Sequence, residues 1–149
     1  MRREETVDYN IKAAWHAIAR MYNQQAQKYD ATMSMGFCLL NIHSDDGTPA
    51  TKIAPLMGLE ARSLTRLLKT MEEKGLIARE PDPSDKRLVR IVLTKEGREK
   101  KEKARESVLR FNDTIRALIP NEKLNVFFDV LQEINKTIEK NNIYEKVGQ

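Results

Sequence analysis

The 149-residue sequence predicts a mainly α fold with a small β-hairpin wing: a winged helix-turn-helix carrying helical extensions at both ends. Three observations predict it. Long stretches at each end repeat apolar residues every three or four positions, as one face of a helix does. The middle of the chain breaks into short elements with sharp turn signals. Between them lie two short runs of β character joined by a proline-rich connection.

The first stripe runs from about Val7 to Tyr29, through Ile11, Ala14, Trp15, Ile18, Tyr22 and Ala26. A second helix fits Ser34 to Ile42 around Phe37, Cys38, Leu39 and Leu40, and Asp45-Asp46-Gly47 marks a turn. Two helices, Thr51–Met57 and Ala61–Lys74, flank Gly58-Leu59-Glu60. Starting the first of them at Thr51 keeps Pro55 near its first turn, where a missing N–H does least harm. The β-like runs are Leu76–Arg79 and Leu88–Leu93. Their connection, Glu80 to Arg87, should protrude because Pro81 and Pro83 cannot donate ladder hydrogen bonds. Thr94 is a suitable N-cap for a long helix carrying Ala104, Val108, Phe111, Ile115 and Leu118. Pro120 interrupts it, Asn121 can cap the next helix, and Leu124, Phe127, Phe128, Leu131, Ile134 and Ile138 continue the stripe. The expected divisions are residues 1–33, 34–93 and 94–149.

A helix-turn-helix needs a small residue at the helix crossing, a turn residue tolerant of positive φ, and an apolar residue facing back into the crossing. Ala54, Gly58 and Leu64 meet these needs, with Ile53, Leu59, Leu67, Leu68 and Met71 completing a core. In the second helix Leu64, Leu67, Leu68 and Met71 turn inward, so Arg62, Ser63, Thr65, Arg66 and Lys69 project elsewhere. Every charged residue between Ala61 and Met71 is basic, which suits the major groove of double-stranded DNA. The plainer alternative is a solvated surface helix. In the connection, Arg87 is placed to reach a narrow minor groove, and Asp85 to orient it by a charge-assisted bond. Lys86 and Arg90 would contact or support contacts to phosphates.

Composition is compatible with this reading. The formal net charge is +4, with 40% hydrophobic and 32% charged residues. The single cysteine, Cys38, forbids an intrachain disulfide and favours a reducing compartment. No apolar run approaches the roughly 20 residues that span a bilayer. The start of the chain lacks an apolar core of secretory type. A cytoplasmic protein without membrane or metal partners is expected.

The order of two helices, a helix-turn-helix, Glu73-Lys74-Gly75-Leu76-Ile77, a Pro-Asp-Pro-Ser-Asp-Lys-Arg wing and Leu93-Thr94-Lys95-Glu96-Gly97 resembles the MarR family of bacterial regulators. The similarity covers nearly the whole chain and is densest from Ala54 to Gly97. It implies a homodimer whose first and last two helices interlock above two winged domains, and a transcriptional regulator, mostly a repressor, that binds an inverted repeat. It also implies that Asp85 holds a minor-groove Arg87 and that Arg66 is the basic residue of the recognition helix. Glu60 departs from the Ser or Asp often found at the start of that helix. The terminal stripes argue for dimerisation independently, since so small a central core cannot cover them.

Many proteins of that family release DNA when a small, often anionic aromatic ligand binds between the dimer helices and the winged domain. Trp15, His16, Arg20 and His43, with Tyr22, lie on the two helices that would line such a cleft. Trp15 and Tyr22 also suit a core, and His16 with Arg20, four apart, can hold a carboxylate or simply face water. Cys38, among apolar neighbours, should be an inert thiol rather than a sensor. No phosphate loop, Cys/His cluster or nucleophile elbow suggests an enzyme, and no cofactor is implied. A winged-helix adaptor that binds protein instead of DNA is the alternative reading.

Overall fold

The computed structural model describes residues 1–140 and 143–145. After a 3-10 turn at Arg3–Glu5 come α1 (Val7–Gln27), α2 (Met33–Leu40), β1 (Thr48–Pro49), α3 (Ala50–Met57), α4 (Ala61–Glu73), β2 (Ile77–Pro81), β3 (Val89–Leu93), α5 (Lys95–Leu118) and α6 (Asn121–Lys140). The chain divides into two compact units, Met1–Val108 and Leu109–Gln149. The last part of the expected 94–149 segment, 141–142 and 146–149, lies outside the described residues.

The core of the first unit is built where the short elements meet. Cys38, Leu39 and Ile42 from the second helical stretch pack with Ile53 of α3, Leu64, Leu68 and Met71 of α4, and Leu76, Ile77, Ile91 and Leu93 from the sheet region. Ala54 and Leu67 pack at its margin. Gly58 closes α3 at φ +65°, the left-handed geometry that the tight turn requires. The Leu59 N–H then returns to the Ala54 carbonyl at 3.0 Å, so the turn between the two helices leaves few backbone groups without partners.

The expected hairpin is part of a three-stranded antiparallel sheet in the order β1-β3-β2. The sequence did not suggest β1, because two residues, Thr48 and Pro49, carry no readable periodicity. They pair with Ile91 and Arg90 of β3. The hairpin is also longer than expected: Glu80 and Pro81 remain in β2, opposite Arg90 and Val89. Pro81 is tolerated because β2 is an edge strand with β3 on one side only.

Two helix starts differ from expectation. α3 begins at Ala50 behind Pro49, not at Thr51, so Pro55 lies inside the helix. α6 begins at Asn121, and the Pro120 carbonyl rather than an Asn121 cap accepts the Lys123 and Leu124 N–H groups, at 3.0 and 3.2 Å. Thr94 caps α5 as expected, its hydroxyl accepting from the Gly97 N–H at 3.0 Å and donating to the Gly75 carbonyl at 2.6 Å.

Neither terminal stripe is fully covered within one chain. α1 has no buried residue, and Trp15, expected in the core, is 49% exposed. On α6 only Leu124 is buried, while Val126, Phe127, Phe128, Val130 and Ile138 are exposed. No helix among the described residues is long and apolar enough to cross a membrane.

Candidate nucleic-acid interface

α4 is amphipathic in the strict sense. Leu64, Leu68 and Met71 are buried in the core, and Arg62, Ser63, Thr65, Arg66 and Lys69 are all exposed. Thr65 spends its hydroxyl proton on the Ala61 carbonyl at 2.9 Å, which leaves its oxygen as an acceptor. Glu60 stands at the N-cap with no side-chain cap hydrogen bond. The first N–H groups of α4 therefore lack a side-chain cap there, and this end of a helix is the one that attracts anions. Near the other end Glu72 pairs with Arg79 of β2 at 3.3 Å.

Among the described residues, no carboxylate lies within ion-pair distance of Arg62, Arg66, Lys69 or Lys86. Unpaired cations on exposed helical and loop positions keep their full potential for an external polyanion.

The wing is the segment 82–88 between β2 and β3. Asp85 Oδ1 accepts from the Arg87 backbone N–H at 3.0 Å and from its Nε at 3.2 Å, and Oδ2 accepts from Nη2 at 3.3 Å. The Arg87 side chain is nevertheless 91% exposed. Its guanidinium is thus aimed without being covered. The Arg87 side chain, and then its backbone N–H, hold the Asp85 carboxyl below the usual carboxylate range. Lys86 is exposed beside it.

Arg90, expected to contact phosphates or to support such contacts, is turned inward, which leaves it no direct phosphate contact. It is half-buried and paired with Asp82 at 2.9 Å. Asp82 was not singled out from sequence, yet it is the one buried charged residue among those described. Its signal was an acidic residue eight before an arginine across a hairpin, which is legible only once the strand register is known.

A second feature is an apolar cavity of about 60 Å³ walled by α1, α2 and α5. On the same measure one water needs roughly 10–15 Å³, so the space is several times larger than a single water requires. Tyr22 and Phe37 meet there edge to face, with ring centroids 5.7 Å apart, and Met33 adds to the wall. Burial raises the Tyr22 pKa. Lys100 and Lys103 of α5 reach its rim. Lys100 donates to the Tyr29 carbonyl, and Lys103 Nζ lies 5.9 Å from the centre of the Tyr29 ring.

None of Trp15, His16, Arg20 or His43 lines this cavity. His16 and Arg20 border a shallow open depression along α1, and the His43 Nδ1 accepts from the Asp46 N–H at 3.1 Å. Lys100 and Lys103 escaped notice because they sit in a highly charged run that reads as a solvated helix. Tyr22 on α1 and Tyr29 in the turn just after it, seven apart on the apolar stripe, were the available signal. Cys38 is fully buried, and burial pushes its thiol up to about 12. Among the described residues no group of three or more His, Cys, Asp or Glu is placed to hold a metal ion.

Comparison with known proteins agrees with this geometry. The model of the MarR family matches residues 31–89. The uncharacterized HTH-type transcriptional regulator YhbI of Bacillus subtilis is 35% identical over 78 residues, 52% of this chain and 51% of that protein. The chain thus spans about half the length of the first curated relatives it matches. The organic hydroperoxide resistance transcriptional regulator of Bacillus subtilis is 30% identical over 104 residues, covering 70% of this chain and 71% of the relative. Among solved structures, a MepR–DNA complex from S. aureus superposes with a TM-score of 0.81 at 23% identity, covering 89% of this chain and 98% of that one. At such identity the likeness is one of fold. With a relative matched over more than two thirds of its length and the winged helix matched by the family model, the chain belongs to the MarR family.

Proposed function

We propose that this protein is a cytoplasmic, non-enzymatic transcriptional regulator, a repressor, that binds an inverted repeat in double-stranded DNA as a homodimer. The observation that carries the reading is α4 itself: its apolar side is sunk in the core, while Arg62, Arg66 and Lys69 stand exposed and unpaired. Ser63, Thr65 and Arg66 would face base edges in the major groove, with Arg62 and Lys69 flanking them on phosphates. Arg87, held by Asp85 and almost fully exposed, would enter the adjacent minor groove, with Lys86 on the backbone. Residues 34–93 form the DNA-binding part in this reading, and 1–33 with 94–149 the dimerising part. The exposed apolar residues of α1 and α6 support that division. A small apolar anion is the effector class that suits the α1–α2–α5 cavity, its body against Tyr22 and Phe37 and its charge near Lys100 or Lys103.

Selection of bound duplexes from a random pool, at low and physiological salt, tests the reading. A salt-sensitive inverted repeat is the expected product. Arg66→Ala should then weaken binding by roughly 5- to 150-fold and relax preference at one position per half-site, the range for a lost base contact. Arg87→Ala should weaken binding without altering the major-groove preference. Weak binding without sequence preference, lost at physiological salt, would remove the DNA reading and favour a protein-binding adaptor.

A further inference from the structure

The Arg90 guanidinium is consumed within the protein. Its Nε and Nη2 donate to Asp82 Oδ2 at 3.2 and 2.9 Å, and its Nη1 donates to the carbonyls of Asp46 and Gly47 at 3.1 and 3.3 Å. Every nitrogen of the side chain therefore has an inward partner, and little is left for a phosphate.

Asp82 continues the chain of bonds toward the wing tip. Its Oδ1 accepts from the Ser84 N–H and hydroxyl, both at 2.9 Å, and from the Asp85 N–H at 3.3 Å. Asp85 then grips Arg87. In the other direction the carbonyls that Arg90 holds belong to the turn before β1, which α5 fastens from its far side. Lys101 Nζ donates to the Ile42 carbonyl at 2.6 Å and to Ser44 Oγ at 2.8 Å, and Arg98 Nε donates to the Ser44 carbonyl at 3.3 Å. Gly47 is wedged there at φ +70°, where a Cβ would stand 2.5 Å from the Ile91 carbonyl oxygen. The turn is thus a fixed point, and Arg90 is the strut between it and the wing.

Resting on the DNA-binding reading for its functional consequence, we infer that Arg90 is a positioning residue. It sets the direction of Arg87 through Asp82 and the Ser84–Asp85 backbone, and it does not itself bind DNA. Chemistry separates this role from a phosphate contact. Lysine keeps the charge that a phosphate needs, but an ammonium cannot reproduce the planar fork that spans Asp82 and two carbonyls. Arg90→Lys should therefore behave as a loss, and only while Arg87 is present.

The test uses the full chain in four forms: wild type, Arg90→Lys, Arg87→Ala and the double variant, each titrated with the selected duplex. Arg90→Lys should weaken binding about tenfold in the wild-type background, within the range for members of one hydrogen-bond network, and less than about twofold beside Arg87→Ala. A similar loss in both backgrounds, or wild-type affinity for Arg90→Lys, would overturn the proposal. A second readout needs no DNA. Amide hydrogen exchange at Ser84 and Asp85 should accelerate in Arg90→Lys while α4 amides keep their protection, and the isosteric Asp82→Asn should do the same. Unchanged exchange at Ser84 and Asp85 in both variants refutes the strut even if no duplex is ever selected. Failure of the selection alone removes only the DNA reading.

Discussion

Gly97, in the first turn of α5, offers a substitution whose sign the structure decides against helix propensity. Alanine is worth about 1 kcal/mol more than glycine in a helix interior, so Gly97→Ala would be expected to stabilise the protein. A Cβ at this position would stand 2.0 Å from the Leu76 carbonyl oxygen and 3.0 Å from its carbon. Ordinary carbon–oxygen contacts begin near 3.3 Å, so the strand entry and the helix must part by about 1.3 Å. That carbonyl accepts the Thr94 N–H at 3.1 Å, and Leu76 and Ile77 on either side of the bond are almost fully buried. Losing the hydrogen bond in a buried setting costs roughly 1–3 kcal/mol, and overpacking adds a similar amount. Set against the propensity gain, the expected net loss is about 3 kcal/mol. For a chain of this size that lowers the melting temperature by roughly 6–12 °C. Gly36→Ala is the matched control, because its Cβ would meet only the Ala104 Cβ, at 3.6 Å, an ordinary contact. It should hold or raise stability. Urea unfolding at one fixed protein concentration measures both. Wild-type stability for Gly97→Ala, or an equal loss for Gly36→Ala, would refute the steric argument.

Cys38 should resist a thiol-disulfide reagent at pH 8 in the native protein and react fully once denatured, since it is buried and its thiol stands at about 12. Rapid native labelling would contradict that environment. Asp82 is held at about 2 against an ordinary 3.8, first by the Ser84 N–H and hydroxyl and further by Arg90. Its contribution is complete above about pH 4 and lost as pH falls toward 2, so the stability difference between wild type and Asp82→Asn should shrink over that interval. A difference unchanged from pH 6 to 2 would exclude the coupling. Phe127→Glu, on the exposed face of α6, should shift the protein toward monomers in sedimentation and weaken binding to a full inverted repeat more than to a half-site. An unaltered oligomeric state would take α6 out of the dimer interface.

Periodicity located every long helix, because an apolar stripe on one helical face must recur at three and four, whether or not the single chain buries it. The Ala54–Gly58–Leu64 crossing was legible for a similar reason: its requirements are local in sequence. What stayed hidden depended on register or on partners distant along the chain. Thr48-Pro49 becomes a strand only because β3 offers a free edge, and Pro81 stays in β2 only because that strand has no outer neighbour. Arg90 reads as a surface cation until pairing with Glu80 brings it beside Asp82. Lys100 and Lys103 look solvated until α5 lies against the Tyr29 turn, 71 residues away in the case of Lys100. Trp15 was expected inside because its stripe is apolar, yet it is 49% exposed in the single chain.

The cavity between α1, α2 and α5 has a consequence for how such a protein can diverge. Its walls come from residues 22–40 and 100–108, and none of them belongs to α4 or to the wing. Substitutions that reshape the cavity and substitutions that alter the basic helix therefore fall on separate sets of codons. A duplicated gene can have one set rewritten while the other is held still. The hinge between the two is the small stretch around Tyr29 and Asp30, where Lys100 of α5 and Lys74 at the end of α4 both fasten. Both lysines hold main-chain carbonyls there, so a change in the path of that turn would be felt on both sides at once.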